Sequence, residues 1–167
     1  MNRPRAVLVG PMGAGKSTVA SLLAKAWDVE VRDTDADIEA LEGRAISDIF
    51  VDEGETYFRE REVEAVARAL SEHQGVLALG GGAVLDPRTQ EALRGHRVVF
   101  LKVGLTEAVK RVGLGTSRPM LLGNVRARVK QLLEERTPVY EAVADVHVDT
   151  DGRTPAQVVA QILEEMK

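Results

Sequence analysis

Four residues near the start of the chain have the types and spacing to hold a polyphosphate. Gly10, Gly15, Lys16 and Ser17 fit the pattern GxxxxGK[ST] within the stretch AVLVGPMGAGKSTVASLLA, residues 6 to 24. Gly13 and Gly15 let backbone N–H groups close on an anion, Lys16 reaches its outer phosphates, and Ser17 offers a hydroxyl to Mg2+. A helix starting at Lys16 adds its positive N-terminal end. A phosphate loop also needs an acid at the end of a neighbouring strand, and the apolar runs at 76–79 and 98–101 end without one. That leaves Asp33 and Asp35. Alternate residues of an extended segment point the same way, so the pair is expected to face the phosphates, one acid serving the metal and the other an acceptor hydroxyl. The plainer alternative makes Asp35 an N-cap for the next helix.

Other charged residues fit an anionic ligand less specifically. Arg59 and Glu62 are three apart and share a helix face, as a surface ion pair also would. Gly80, Gly81 and Gly82 follow a core strand and form either a tight turn or a place where backbone amides touch a polar ligand. Arg118 and Arg136, both expected in irregular segments, suit anion recognition.

These residues need a frame, and the apolar pattern supplies one. Strands are expected at Ala6–Val9, from Val29 and Val31 into Asp33-Thr34-Asp35 with both carboxylates at its end, at Val76–Leu79, Arg97–Val103 and Asp145–Asp149. Between them come a helix from Lys16, one from Ala36, a charged helix over 55–71, a short one opened by Pro87, one over 105–111, one over 124–135 that breaks at Pro138, and a closing helix from Pro155. Five apolar strands alternating with helices mean an α/β protein with a parallel sheet covered on both faces. Ligands of such a sheet sit beyond the carboxyl ends of its strands, which selects Gly10 to Ser17, Asp33 to Asp35, Gly80 to Gly82 and the segments after Val103 and Asp149. Residues 112–124 carry glycines and little apolar periodicity and are expected to form a mobile lid.

Composition sets bounds. The 167 residues form one domain, 44% hydrophobic and 29% charged. A net charge of −4 speaks against a general nucleic-acid or membrane-surface partner. With no cysteine, disulfides and thiol chemistry are excluded, and the three histidines lack ligand spacing. The apolar run after Arg5 is too short for a signal sequence or a membrane span, so a cytoplasmic protein is expected.

Taken together, GPMGAGKST, DTD, YFRERE, LALGGG, RPML, ERTPVY and DGRTP resemble the shikimate kinase family over nearly the whole chain. The resemblance implies the nucleoside-monophosphate-kinase fold, three-layered with sheet order 2-3-1-4-5, and transfer of phosphate from ATP to shikimate with Mg2+. It implies a substrate-binding helical region at about 34–62. There Asp35 meets ring hydroxyls, Arg59 and Arg136 clamp the carboxylate, the backbone of Gly81 between Gly80 and Gly82 completes the contact, and Glu62 orients these groups. On the nucleotide side it implies Gly13, Ala14, Gly15, Lys16, Ser17 and Thr18 at the phosphates, Ser17 and Asp33 at Mg2+, Arg118 at the transferring phosphate, and Arg111, Arg153 and Pro155 at the adenine. Lys16, Asp35 and Arg118 would be catalytic, and the protein a monomer. Met120 stands where relatives more often have leucine, a volume-neutral change. A gluconate kinase, or a nucleotide-binding regulatory protein without an acceptor, would share the phosphate loop. The paired aspartates and the triple glycine favour shikimate.

Overall fold

The structure, a computed structural model, describes residues 3–114 and 122–167. Strands β1 (Ala6–Val9), β2 (Val31–Asp33), β3 (Val76–Ala78), β4 (Val98–Lys102) and β5 (Val146–Asp149) pair in parallel in the order β2-β3-β1-β4-β5. The expected α/β sheet and its order are both found. The helices are α1 (Lys16–Trp27), α2 (Thr34–Glu42), α3 (Ile46–Glu53), α4 (Glu55–Glu72), α5 (Pro87–Ala92), α6 (Leu105–Leu114), α7 (Leu122–Val143) and α8 (Pro155–Glu165).

Side-chain alternation in β1 builds two cores. Ala6 and Leu8 face one side and pack with Val19, Leu23 and Ile162 of α1 and α8. Val7 and Val9 face the other, with Val66 and Leu70 of α4 and Tyr140 of α7. All four residues of β1 are buried, as a central parallel strand requires. Because β3 flanks β1 on one side and β4 on the other, the chain direction of travel reverses at β1, and the crevice beyond its carboxyl end is where such sheets take ligands. A third cluster, Ile38, Ile49, Phe58 and Ala65, lies among α2, α3 and α4.

Several boundaries differ from the sequence reading. The helix after β2 starts at Thr34 rather than Ala36, and two helices, not one, precede α4. Gly43, in the left-handed region at φ 69, ends α2, and the Glu39 carboxylate takes the Ile46 amide at 3.0 Å to start α3. Helix α6 continues to Leu114 because Leu105, Ala108, Val109 and Val112 keep helical spacing past the expected stop. Helix α7 begins at Leu122 and runs through Pro138 to Val143. Proline usually breaks a helix by removing one hydrogen bond. Here Pro138 is exposed, and the turn beyond it is held by burial of Tyr140 and packing of Val139 and Val143 against the sheet. Both ends of the 112–124 segment are therefore helical. Its middle, including Arg118, lies outside the described residues.

Candidate active site

The loop from β1 to α1 has the backbone an anion needs. Gly13 and Gly15 take φ 88 and φ 85, and no side chain caps α1 or places an acid in its first turn. The amides at its start are left to an incoming ligand. Lys16 Nζ turns back over the loop and donates to the carbonyls of Gly10 at 2.5 Å and Pro11 at 3.1 Å. Burial lowers its pKa to about 8, although Asp35 and Asp33 pull upward; Arg136 adds to the lowering.

The two aspartates are not alternate residues of a strand, as the sequence reading had them. Asp33 ends β2 and is itself the N-cap of α2, its Oδ1 accepting from the amides of Asp35 at 2.8 Å and Ala36 at 3.3 Å. Asp35 sits in the first turn of α2. The capping role weighed for Asp35 thus falls to Asp33, and Asp35 is free to point elsewhere. It points at the turn after β3: a Cβ on Gly80 would lie 2.5 Å from Asp35 Oδ1. Burial raises the Asp35 pKa to about 6, helped by the charges of Asp33, Glu62 and Glu39 and opposed by Lys16. Buried Thr34 ties the same two segments, its Oγ1 accepting from the Gly80 amide at 3.3 Å.

Helix α4 supplies the facing wall. Arg59 donates to Glu62 at 2.8 Å, and Glu62 is only 3% exposed, so this is a half-buried pair and not a surface one. Burial pushes the Glu62 carboxyl up, while Arg59 and then Arg136 hold it down. A Cβ on Gly82 would come within 2.8 Å of Arg59 Nη1, and one on Gly81 within 3.6 Å of Arg136 Nη1. The triple glycine is therefore a floor on which Asp35, Arg136 and Arg59 rest one after another. Arg136 belongs to α7 and not to an irregular segment, and its buried Nε finds no partner among the described residues. A buried, unanswered guanidinium donor beside a second arginine suits an incoming carboxylate.

The remaining assignments fall at the far side of the phosphate loop or beyond β5. Arg111 Nη1 donates to the Gly13 carbonyl at 2.6 Å. The Arg153 guanidinium donates to the carbonyls of Asp149 at 3.0 Å and Gln157 at 3.3 Å and to Gln161, so much of its capacity braces the β5–α8 turn. Pro155 is the first residue of α8, behind the Thr154 and Gln157 capping box. Tyr140, which the sequence reading passed over, donates to the Gly81 carbonyl at 2.5 Å. Its spacing of four from Arg136 in ERTPVY was the available signal.

Mg2+ fits what is present. Ser17 offers an exposed hydroxyl with no partner among the described residues, and Asp33 keeps Oδ2 free beside its capping Oδ1. Two hard oxygens suit an ion that retains waters and phosphate oxygens. Among the described residues no group of three His, Asp or Glu could hold a metal unaided.

These close approaches can be tested without disturbing the core. In Gly80→Ala the added methyl meets the far end of the Asp35 side chain, which can turn away, so the melting temperature should stay within a few degrees. The displaced carboxylate should lower kcat by about tenfold or more, whereas Gly82→Ala, which displaces Arg59, should chiefly raise the acceptor KM. Steady-state kinetics beside thermal melts separate the two. A Gly80→Ala protein with unchanged kcat would show that the Asp35 position is not critical.

Comparison with known proteins gives a consistent result. The shikimate kinase family model matches residues 12–167. Shikimate kinase of Salinispora arenicola is 57% identical over 159 residues, 95% of either chain. That of Streptomyces coelicolor is 55% identical over 98% of this chain and 96% of its own. The solved structure of shikimate kinase from Acinetobacter baumannii in complex with shikimate superposes with a TM-score of 0.90 at 34% identity, covering 99% of this chain and 93% of that one. Among the described residues no helix is long and apolar enough to cross a membrane.

Proposed function

The chain belongs to the shikimate kinase family and phosphorylates shikimate at the expense of ATP; we propose that it does so with Asp35 at the acceptor hydroxyl, Arg59 and Arg136 on the carboxylate, and Lys16 and Arg118 on the moving phosphoryl group. The alternatives of a gluconate kinase and of a binding-only regulatory protein are set aside by the family. The observation that carries the site reading is the sequence of contacts along Gly80, Gly81 and Gly82, which brings Asp35, Arg136 and Arg59 to one floor beside the phosphate loop.

Phosphoryl transfer asks the protein for position and charge more than for covalent chemistry. The two arginines fix shikimate by its carboxylate, its one charged group. Asp35 then lies at a ring hydroxyl. That oxygen attacks the terminal phosphorus, the bond to the bridging oxygen breaks, ADP departs, and the hydroxyl proton passes to the Asp35 carboxylate. With a pKa near 6, Asp35 is ionised at neutral pH yet a better proton acceptor than an ordinary aspartate. Lys16 exchanges its contacts to Gly10 and Pro11 for phosphate oxygens. Ser17 and Asp33 would hold Mg2+, which offsets charge on the outer phosphates. Glu62 keeps Arg59 aimed. Gly13, Ala14, Gly15 and Thr18 line the phosphates, and Arg111, Arg153 and Pro155 border the adenine. The same reading has residues 112–124 closing over the site, and the protein working as a cytoplasmic monomer.

Arg118 is assigned from the family motif Arg118-Pro119 and from its place between Gly113 and Gly123 in the sequence. Arg118→Ala should lower kcat on the order of 10²-fold with little change in the ATP KM, because a group that meets the phosphoryl chiefly in the transition state contributes there and not to ground-state binding. A normal kcat with a raised ATP KM would make it a nucleotide-binding arginine. The acceptor site is tested by a coupled ADP assay with shikimate, quinate, gluconate and a shikimate analogue carrying a carboxamide. Equal kcat/KM for shikimate and the carboxamide would rule out the arginine clamp.

A further inference from the structure

The turn after β3 has an uneven account of hydrogen bonds. The Gly80 carbonyl accepts from the Ala83 amide at 3.1 Å, and the Gly82 carbonyl from the Leu85 amide at 3.2 Å. The carbonyl between them, Gly81, is taken by the Tyr140 phenol. All three carbonyls are thus satisfied inside the protein, while the Gly81 and Gly82 amides have no acceptor among the described residues. A trans peptide is planar, so its C=O and N–H point opposite ways. Fixing the Gly81 oxygen on the α7 side therefore sends the Gly82 N–H to the other side.

Nothing in packing alone demands the hydroxyl. Tyr140 is fully buried, its ring lies 5.1 Å from that of Phe100, and it is held among the apolar residues of one sheet face. A phenylalanine would fill that space. The phenol also lies one helical turn after Arg136, whose guanidinium borders Gly81 on the side that faces the Gly10 carbonyl and the Met12 amide.

We propose that Tyr140 is a positioning residue for the acceptor: its phenol sets the Gly81–Gly82 peptide, so that the free glycine amides present themselves to the shikimate carboxylate alongside Arg136. The inference rests on the acceptor reading given above. Burial keeps the phenol protonated, since it raises the Tyr140 pKa against the charge of Arg136 and the hydrogen bond the phenol oxygen accepts from it, so the phenol braces Arg136 as well as the Gly81–Gly82 peptide.

Tyr140→Phe keeps the ring and removes the donor. Loss of a bond to a buried carbonyl, and of the orientation it enforces, should raise the shikimate KM by about tenfold, with the ATP KM changed by less than about twofold. The carboxamide analogue, which lacks the anionic group, should lose much less. A merely structural tyrosine would lower the melting temperature and leave the shikimate KM alone, and that result would overturn the proposal. The unsubstituted protein gives an independent reading: on addition of shikimate the Gly82 amide should become protected from hydrogen exchange, and an amide indifferent to shikimate would equally overturn it. Arg136→Ala, assayed in parallel, keeps the two levels apart. A normal shikimate KM in Arg136→Ala removes the acceptor reading itself, whereas a raised KM there with a normal one in Tyr140→Phe removes only the role of the phenol.

Discussion

Asp35→Asn should lower kcat on the order of 10³-fold and at the same time yield a more heat-stable protein. The two effects have one source. The Asp35 carboxyl is held near pKa 6, against an ordinary 3.8, first by burial and then by the charges of Asp33, Glu62 and Glu39. Between the ordinary carboxylate range and about pH 6 the unfolded chain has released this proton and the folded chain still holds it. Stability therefore falls as pH rises through that window, and the cost is fully present above it. Asparagine carries no charge to desolvate and fits the same space, so the variant should melt higher than the parent at neutral pH, by a margin that shrinks as the pH is lowered toward 4. Because Asp33 and not Asp35 caps α2, the substitution leaves the cap intact. For activity, the parent's kcat/KM for shikimate should fall on the acid side with a midpoint near pH 6, and the variant should lack that limb. Initial rates across pH at saturating ATP, with melts in the same buffers, check both halves. An asparagine variant with near-normal kcat would remove Asp35 from the chemistry.

Arg59→Ala should reduce kcat/KM for shikimate by about 10³-fold, the scale of losing a two-pronged charged hydrogen bond to a carboxylate. It should also destabilise the protein, for a different reason. Glu62 is 3% exposed and loses its 2.8 Å partner, which leaves a buried acid with only the more distant Arg136 to offset it. Arg59→Ala/Glu62→Gln removes that stranded charge. The double variant should recover most of the lost melting temperature and none of the shikimate affinity, while the ATP KM stays within about twofold throughout. Arg59→Lys should rescue poorly, since an ammonium has no fork. If the double variant regained shikimate turnover along with stability, Arg59 would be a structural partner of Glu62 and no more.

What could be read from the sequence followed from whether a signal was local. The phosphate loop was fully legible, because a short apolar strand, glycines that admit φ 88 and φ 85, and a lysine and serine at fixed offsets determine their own geometry. The inner strands β1, β3 and β4 were legible because buried parallel strands are nearly continuous apolar runs, whereas the edge strands β2 and β5 are mixed. The two aspartates were singled out for the right neighbourhood by an argument that fails: they are not alternate strand residues, since the strand ends at Asp33 and the helix begins at Thr34. Cap and strand end look alike in Asp33-Thr34-Asp35. Between residues 36 and 54 glycines were the main punctuation, and the carboxylate of Glu39 that starts α3 comes from seven residues earlier, beyond the reach of local pattern. Pro138 misled because its cost is local while the burial that outweighs it is tertiary. Tyr140 was missed although its spacing from Arg136 was there to be read, because a buried aromatic reads as core until its hydroxyl is seen to meet Gly81. Arg118, named from its motif, lies outside the described residues.

Helix α4 belongs to two cores at once. Its later turns, with Val66, Ala69 and Leu70, lie against the sheet. Its earlier turns, with Phe58 and Ala65, share a separate small core with Ile38 and Ile49. Arg59 and Glu62 lie between Phe58 and Ala65 on this helix. The helices that carry Asp35 and Arg59 thus share a small core of their own, joined to the sheet through α4 and through the bond from the Gly80 amide to Thr34. A substitution at Ile38 or Ile49 should therefore shift Asp35 and Arg59 while leaving the packing of α1 on the sheet in place.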